Sequence, residues 1–421
     1  MKVRAALGRL RPHSLFLLYA FSLLWLLAAC VYFADSSATE LDFVRPLLVF
    51  GSVFVTGYLL LTRVLGRRIE ELPASPLPQE HVRLLLVLLF GVFTAVAIMH
   101  LATLGHLPMV EARRSTNDYE IARIRQEGYY NLAVWQRYAS DYAIKGVGPI
   151  LLVLAAHTRS RLLWPAIVVG LFYTVSLFVK ANPVYLLLPL VLYYAFTRQA
   201  RRALLMALLM VGAVGVNWTS SSPDVRNDFG RMVDFATGKP VRQVSGARSM
   251  NMDYPGARVV ASVRERLVIV PAQVTAQWYF NYEDPARREA GCGYRLLARA
   301  IGCEYQHIPT KLYAMYYPEL VKERGLTGSL NSGSYIHDFA NFGYAGVAVG
   351  ALAFALLFSL LRFACSNSAP LLCLSLMPVL SLSEMPISTV LNSGGWLLIL
   401  FVSVLLQQGG RLLQRRRPAS A

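Results

Sequence analysis

Charge is what this sequence has least of. Asp, Glu, Lys and Arg make up 15% of its 421 residues, against about 25% in soluble globular proteins. With 55% apolar residues and a mean hydropathy of +0.45, this shortage places the chain in a membrane and excludes a soluble Rossmann or TIM-barrel enzyme. Nucleotide and hydrolase signatures are missing as well: there is no Walker A run, no G-x-G-x-x-G after a strand, no H-E-x-x-H and no G-x-S-x-G. The five cysteines show no C-x-x-C and no Cys/His metal spacing. No metal and no other cofactor is expected. Lysine is scarce too, at six of 41 basic residues (Lys2, Lys145, Lys180, Lys239, Lys311 and Lys322). Compositional bias is the plain reading of the arginine excess, although the guanidinium fork also suits phosphate better than an ammonium does.

What is present is a series of apolar windows near 14–34, 46–65, 84–105, 143–157, 163–180, 183–198, 203–218, 343–362, 370–386 and 391–407. A span needs roughly 20 apolar residues for a ~30 Å hydrocarbon layer, so about ten spans fit. Basic residues occupy every other connection: Lys2, Arg4, Arg9 and Arg11; Arg63, Arg67, Arg68 and Arg83; Arg159 and Arg161; Arg198, Arg201 and Arg202; Arg362; Arg411 and Arg415 to Arg417. By the positive-inside rule these connections and both termini are cytoplasmic. The net charge of +17 therefore reports topology, and no nucleic-acid partner is expected.

Two long segments fall on the other face, 106–142 and 219–342. The second mixes Asp224, Asp228, Asp253, Glu283 and Asp284 with many arginines and is too long to be structureless. The expected class is therefore an all-α, polytopic integral membrane protein. Residues 1–218 would supply seven spans with an outward loop at 106–142. Residues 219–342 would form an extracytoplasmic cap of helices lying on the membrane, and 343–421 three last spans and a basic cytoplasmic tail. Leu27-Ala28-Ala29-Cys30 is similar to a lipoprotein cleavage box, but the apolar Val31-Tyr32-Phe33 that follows completes a full span. In the cap, Cys292 and Cys303 stand on the oxidising side, where a disulfide is allowed; two free thiols are the alternative.

Candidate chemistry gathers outward. The run Gly328-Ser-Leu-Asn-Ser-Gly-Ser334-Tyr-Ile-His337-Asp-Phe-Ala-Asn341-Phe-Gly343-Tyr-Ala-Gly346 leads from a polar loop into the eighth span, with Ser334 placed as an N-cap. A helix starting there puts His337 and Asn341 on one face. His337 is either an interfacial histidine bonded within the cap or a group that takes a proton from a sugar hydroxyl or gives one to a phosphate oxygen. Arginines form a second set: Arg258, Arg264 and Arg266 in an apolar stretch, Arg295 and Arg299 four apart on a helix, and Arg113, Arg114, Arg123 and Arg125 in the other outward loop. Such groups either pair with the cap's acids or hold a phosphate leaving group without metal. Arg264 and Arg266, separated by one residue, would not share a face of a regular helix. Lys180, at the outer end of the fifth span, either snorkels to the surface or serves a site. The aromatic runs at 277–282 and 313–317 fit a membrane interface or sugar stacking.

In its layout of ten or so spans with one large outward loop before the last few, and in Asn341-Phe-Gly343-Tyr-Ala-Gly346 at the entry to a span, the chain resembles Wzy-type polysaccharide polymerases of the O-antigen polymerase and ligase superfamily. The resemblance covers most of the chain in layout and about 20 residues in specific motif. It implies a bacterial inner-membrane enzyme that moves a growing glycan from polyprenyl pyrophosphate onto the next lipid-linked repeat unit, with inversion. Arg264 or Arg266 would hold the pyrophosphate, and His337 would stand near the reacting hydroxyl or phosphate. Arg113, Arg114, Arg258, Arg295, Arg299, Asn341 and Lys180 complete the expected binding set. Expected partners are the lipid-linked donor and acceptor, membrane lipid and a chain-length regulator. A ligase acting on another acceptor, a transporter of lipid-linked sugars, and a metal-dependent transferase using Glu40 and Asp42 are the alternatives.

Overall fold

The computed structural model describes residues 13–65, 76–223, 225, 257–365 and 368–414, with the backbone alone for 257–259, 363–365 and 409–414. The side chain of Arg258, the basic residues 2–11, 67, 68, 239 and 415–417, and Asp224, Asp228 and Asp253 lie outside the described residues. Among the described residues every regular element is a helix. Six helices are long and apolar enough to cross a membrane: Ser14–Ser37, Leu41–Leu65, Gln79–Leu104, Val134–His157, Ala200–Ser221 and Ser334–Arg362. Four shorter apolar helices, Leu163–Ser176, Asn182–Phe196, Ala369–Ser381 and Trp396–Gln408, fall on the remaining windows. At 1.5 Å per residue the 15 residues of Asn182–Phe196 reach only about 22 Å.

By contacts the chain forms two compact units, residues 1–89 with 271–421, and residues 90–270. The stretch 219–342 is thus shared between them. Its described part is a set of short helices, including Ala257–Arg264, Val270–Tyr282, Arg295–Ile301 and Ile308–Tyr316.

In the first unit, Arg45–Leu65 packs along Ser334–Cys365. A side chain on Gly57 would stand 3.1 Å from Ala355 Cβ, and such small-residue contacts let helices approach closely in lipid. Beside it Tyr19, Phe50, Phe54, Phe354 and Phe358 interlock, with Tyr19 stacked 5.3 Å from Phe358 and edge-on 5.3 Å from Phe54.

The helix Ser334–Cys365 is not straight. Gly343 breaks it with φ 66° and ψ −153°, a region open essentially to glycine alone. The Asp338 carboxylate lies against Gly350 and its carbonyl oxygen 2.8 Å from a Cβ on Gly346. Twelve residues of straight helix would separate 338 from 350 by about 18 Å. The segment 334–342 therefore folds back along the first turns of 344–365, and the three glycines at 343, 346 and 350 make room for that.

In the second unit Leu186 is a knob between two glycines: Cβ atoms on Gly148 and Gly170 would each come within 2.7 Å of its methyls. His100 is tied at both ring nitrogens, Nδ1 to Tyr173 Oη at 2.7 Å and Ser140 Oγ at 2.8 Å, Nε2 to the Gly128 carbonyl at 3.2 Å. With Nε2 donating, Nδ1 accepts from the two hydroxyls. Val134–His157 begins nine residues before its apolar window. Its first turns carry Trp135, Arg137 and Asp141, and a π-turn at Ala143–Val147 joins them to Gly148–His157. Lys145 in that turn pairs with Asp141 at 2.6 Å.

Candidate functional site

The most polar part of the first unit sits on the folded-back segment 334–342. His337 is only 5% exposed, with Asp338 and Asn341 buried beside it. The His337 ring lies edge-on to Tyr294 at 4.5 Å and tilted against Trp278 at 5.7 Å. Asn341, one helical turn on, donates through Nδ2 to the His337 carbonyl at 2.9 Å, and the same nitrogen lies 3.5 Å from His337 Nδ1. Its Oδ1 accepts the amide of Gly293 at 3.0 Å, and a Cβ on Gly293 would collide with Asn341. The Tyr294 hydroxyl donates to Asp338. Burial first, then the Asp338 carboxylate, pushes that phenol far above its usual range, so it keeps its proton as a donor. The Trp278 indole N–H donates to the Leu330 carbonyl at 2.8 Å, fixing the loop before the helix. Ser334 is the first residue of the helix and not its expected N-cap: the Gly333 carbonyl accepts the first helical bond from His337, and the Ser334 hydroxyl accepts the Ile387 amide at 2.9 Å, tying this helix to the short helix Ile387–Leu391.

The motif Asn341-x-Gly343-x-x-Gly346 thereby acquires physical content. Asn341 clamps Gly293, Gly343 supplies the bend, and Gly346 allows the return. At the bend a Cβ on Gly343 would lie 2.6 Å from the guanidinium of Arg288. Arg288 donates to the carbonyls of Tyr282 and Glu283 and sits 5.2 Å over the Phe339 ring.

Cys292 and Cys303 are joined in a disulfide that encloses the helix Arg295–Ile301. Arg295 stacks 5.1 Å over Tyr305. His307, bonded to Thr310 at 2.7 Å, is lowered from its usual value by burial and then by Arg295. Lys311 and Tyr282 both donate to Glu289 Oε1, at 2.7 and 2.9 Å. Arg299 is exposed on its helix.

The second unit holds the other candidates. Arg113 and Arg114 end the short helix Pro108–Arg114 and are exposed. Arg264 closes Ala257–Arg264, and Arg266 lies in the π-turn Glu265–Ile269 that follows. Of the two, Arg266 acts on Lys180. Lys180 occupies the turn between Leu163–Ser176 and Asn182–Phe196, outside both helices. Its ammonium is drawn down to about 8, by burial first and then by the charges of Arg266 and Arg125, with Asp118 and Glu265 opposing them. The same ammonium lies 5.4 Å over the Trp218 ring. The indole Nε1 of Trp218 and Oδ1 of Asn217 are buried without a hydrogen-bond partner, while Asn217 Nδ2 donates to the Val179 carbonyl at 3.1 Å. Lys180 thus stands beside an orphaned N–H donor and an orphaned amide oxygen, within reach of the charges of two arginines and two carboxylates.

Two pairs of candidate residues are joined, His337 with Asn341 and Cys292 with Cys303, while Arg266 acts on Lys180 through its charge. Asp338, Tyr294, Gly293, Arg288 and Trp218 are additional residues of these clusters. Their contacts run across tens of positions, beyond the reach of helical spacing. In the first outward loop, Asp42 is engaged by Arg45 at 2.7 Å, and among the described residues no group of three or more His, Cys, Asp or Glu is placed to hold a metal ion. No family model, curated protein or solved structure matches the chain.

Proposed function

We propose that this chain is a polysaccharide polymerase of the membrane, transferring a growing glycan from polyprenyl pyrophosphate to the next lipid-linked repeat unit on the outer face of a bacterial inner membrane. The observation that carries the proposal is the half-buried Lys180 ammonium 5.4 Å over the Trp218 ring, whose indole N–H is buried without a partner, under the charges of Arg266 and Arg125 opposed by Asp118 and Glu265. Like charges held together cost free energy that a bound anion returns, and a departing diphosphate is such an anion. Ten apolar helices among the described residues, alternating basic loops and a disulfide, which is stable on the oxidising side, support the outward placement of residues 283–333.

In the reaction the acceptor hydroxyl oxygen bonds to the anomeric carbon from the face opposite the diphosphate. The anomeric C–O bond breaks, its electron pair leaves on the diphosphate, and the hydroxyl proton passes to a base. The cations stabilise the leaving charge, an effect worth about 10²- to 10³-fold per well-placed donor. His337, whose ring is fixed by Tyr294, Trp278 and Asn341, belongs to the first unit and is a separate candidate for proton transfer, tested by itself. Neither role calls on a metal.

Arg266→Ala and His337→Ala are expected to leave the protein abundant and inserted while surface glycan stops at a single repeat, whereas Arg264→Ala retains long chains. Gel profiles of extracted glycan read the outcome. Normal ladders from both Arg266→Ala and His337→Ala would remove the proposal.

A further inference from the structure

The disulfide-closed helix Arg295–Ile301 presents an apolar surface that its own unit does not cover. Leu296 is 83% and Ile301 57% exposed, and Leu297 is also exposed. Inside a water-soluble cap such side chains would be a liability, and a disulfide spent on displaying them would be without purpose. Their position gives the reason. Gly291 brings Ile301 and Phe342 to one spot: a Cβ there would lie 3.2 Å from the Phe342 ring and 3.5 Å from Ile301 Cδ1. Phe342 is itself 43% exposed and stands at the bend where the membrane helix 344–365 begins. Along that helix Val349, Leu352, Leu356 and Leu360 form an exposed apolar stripe, the face a spanning helix turns to lipid. Phe342 packs against Gly346 in the first turn of that helix, so Ile301 stands beside the start of the stripe, with Leu296 and Leu297 exposed on the same short helix. Arg295 and Arg299, one turn apart on the same short helix, supply positive charge beside the apolar side chains.

We propose that Arg295–Ile301 is a membrane-interface anchor, with Leu296, Leu297 and Ile301 immersed in the outer leaflet of the bilayer and Arg295 and Arg299 on the headgroups of anionic phospholipid. Apolar burial supplies the binding and the arginines its lipid preference. The disulfide holds so short a helix in shape, since seven residues are too few to stay helical in isolation. The anchor fixes the level at which residues 289–342 meet the membrane, and it is independent of the reaction proposed above.

The test uses the whole protein in nanodiscs of phosphatidylcholine, with or without about one third phosphatidylglycerol. Leu296→Cys, and Ile301→Cys as a second position, are labelled with an environment-sensitive fluorophore in a background lacking Cys30, Cys365 and Cys373. Lipid carrying a spin label near the headgroup should quench about half of the emission or more, as for side chains lying 5–10 Å into the leaflet. Iodide in the water should quench little, and the same label at Glu323→Cys should show the reverse. Arg295→Gln with Arg299→Gln should abolish the gain produced by phosphatidylglycerol while lipid quenching persists. Strong iodide quenching with no quenching from lipid at both 296 and 301 would overturn the anchor, and equal depth in the two lipid mixtures would overturn the anionic preference.

Discussion

At the scale of the residue, Lys180 is the most exacting case. Its ammonium titrates near 8, so the charge is present at pH 7 and mostly gone at pH 9. An anion that needs this charge binds more weakly as pH rises through that window. Lys180→Arg keeps a permanent charge, so the ratio of wild-type to variant affinity for inorganic pyrophosphate should fall by about tenfold from pH 7 to pH 9. Calorimetry of the purified protein would read it, and a flat ratio would show that Lys180 does not touch the anion. The sequence offered Lys180 and Arg266 as separate candidates. Nothing in either neighbourhood foretold that the charge of one would act on the other across 86 positions, because that is set by tertiary packing. Arg264 and Arg266 were expected on different faces of a regular helix, but Arg264 ends one helix and Arg266 lies in the π-turn that follows, which spacing alone does not disclose.

At the scale of the element, the bent helix Ser334–Cys365 joins motif to geometry. Its apolar run predicted a span from 343, and His337 and Asn341 were legible as neighbours from their four-residue spacing. The reversal at Gly343 was not, since a glycine before an apolar stretch also fits an ordinary helix start. A Cβ at 343 meets both a forbidden backbone region and the guanidinium of Arg288. Gly343→Ala should therefore destabilise the protein by about 2 kcal/mol, measured as a lowered midpoint of thermal unfolding in detergent. An unchanged midpoint would mean the bend relaxes without strain. Val134–His157 was legible only from residue 143 on, because its earlier turns are one-sided and polar, and an apolar window does not register them.

At the scale of the whole molecule, composition and the alternation of basic loops carried the class: among the described residues an apolar helix falls on each of the ten windows, six of them long enough to span, while Leu163–Ser176, Ala369–Ser381 and Trp396–Gln408 cover only part of theirs. The division into units at 89/90 and 270/271 had no such signal, because contact density leaves no mark in local hydropathy. The orientation makes a direct expectation. A fluorescent reporter fused after Ala421 should glow in the cytoplasm, and alkaline phosphatase joined after Glu304 should be active outside; the opposite pair would reverse the topology and end the outward reading. The fold-back at Gly343 has one more consequence. Insertion machinery reads a continuous greasy stretch, and 344–362 offers one with no ionised group before Arg362. The polar nine-residue arm ahead of it need never be threaded through hydrocarbon. It can swing down afterwards onto a stem already in place, so that embedding the protein and assembling its histidine cluster become successive events, each open to failure by itself.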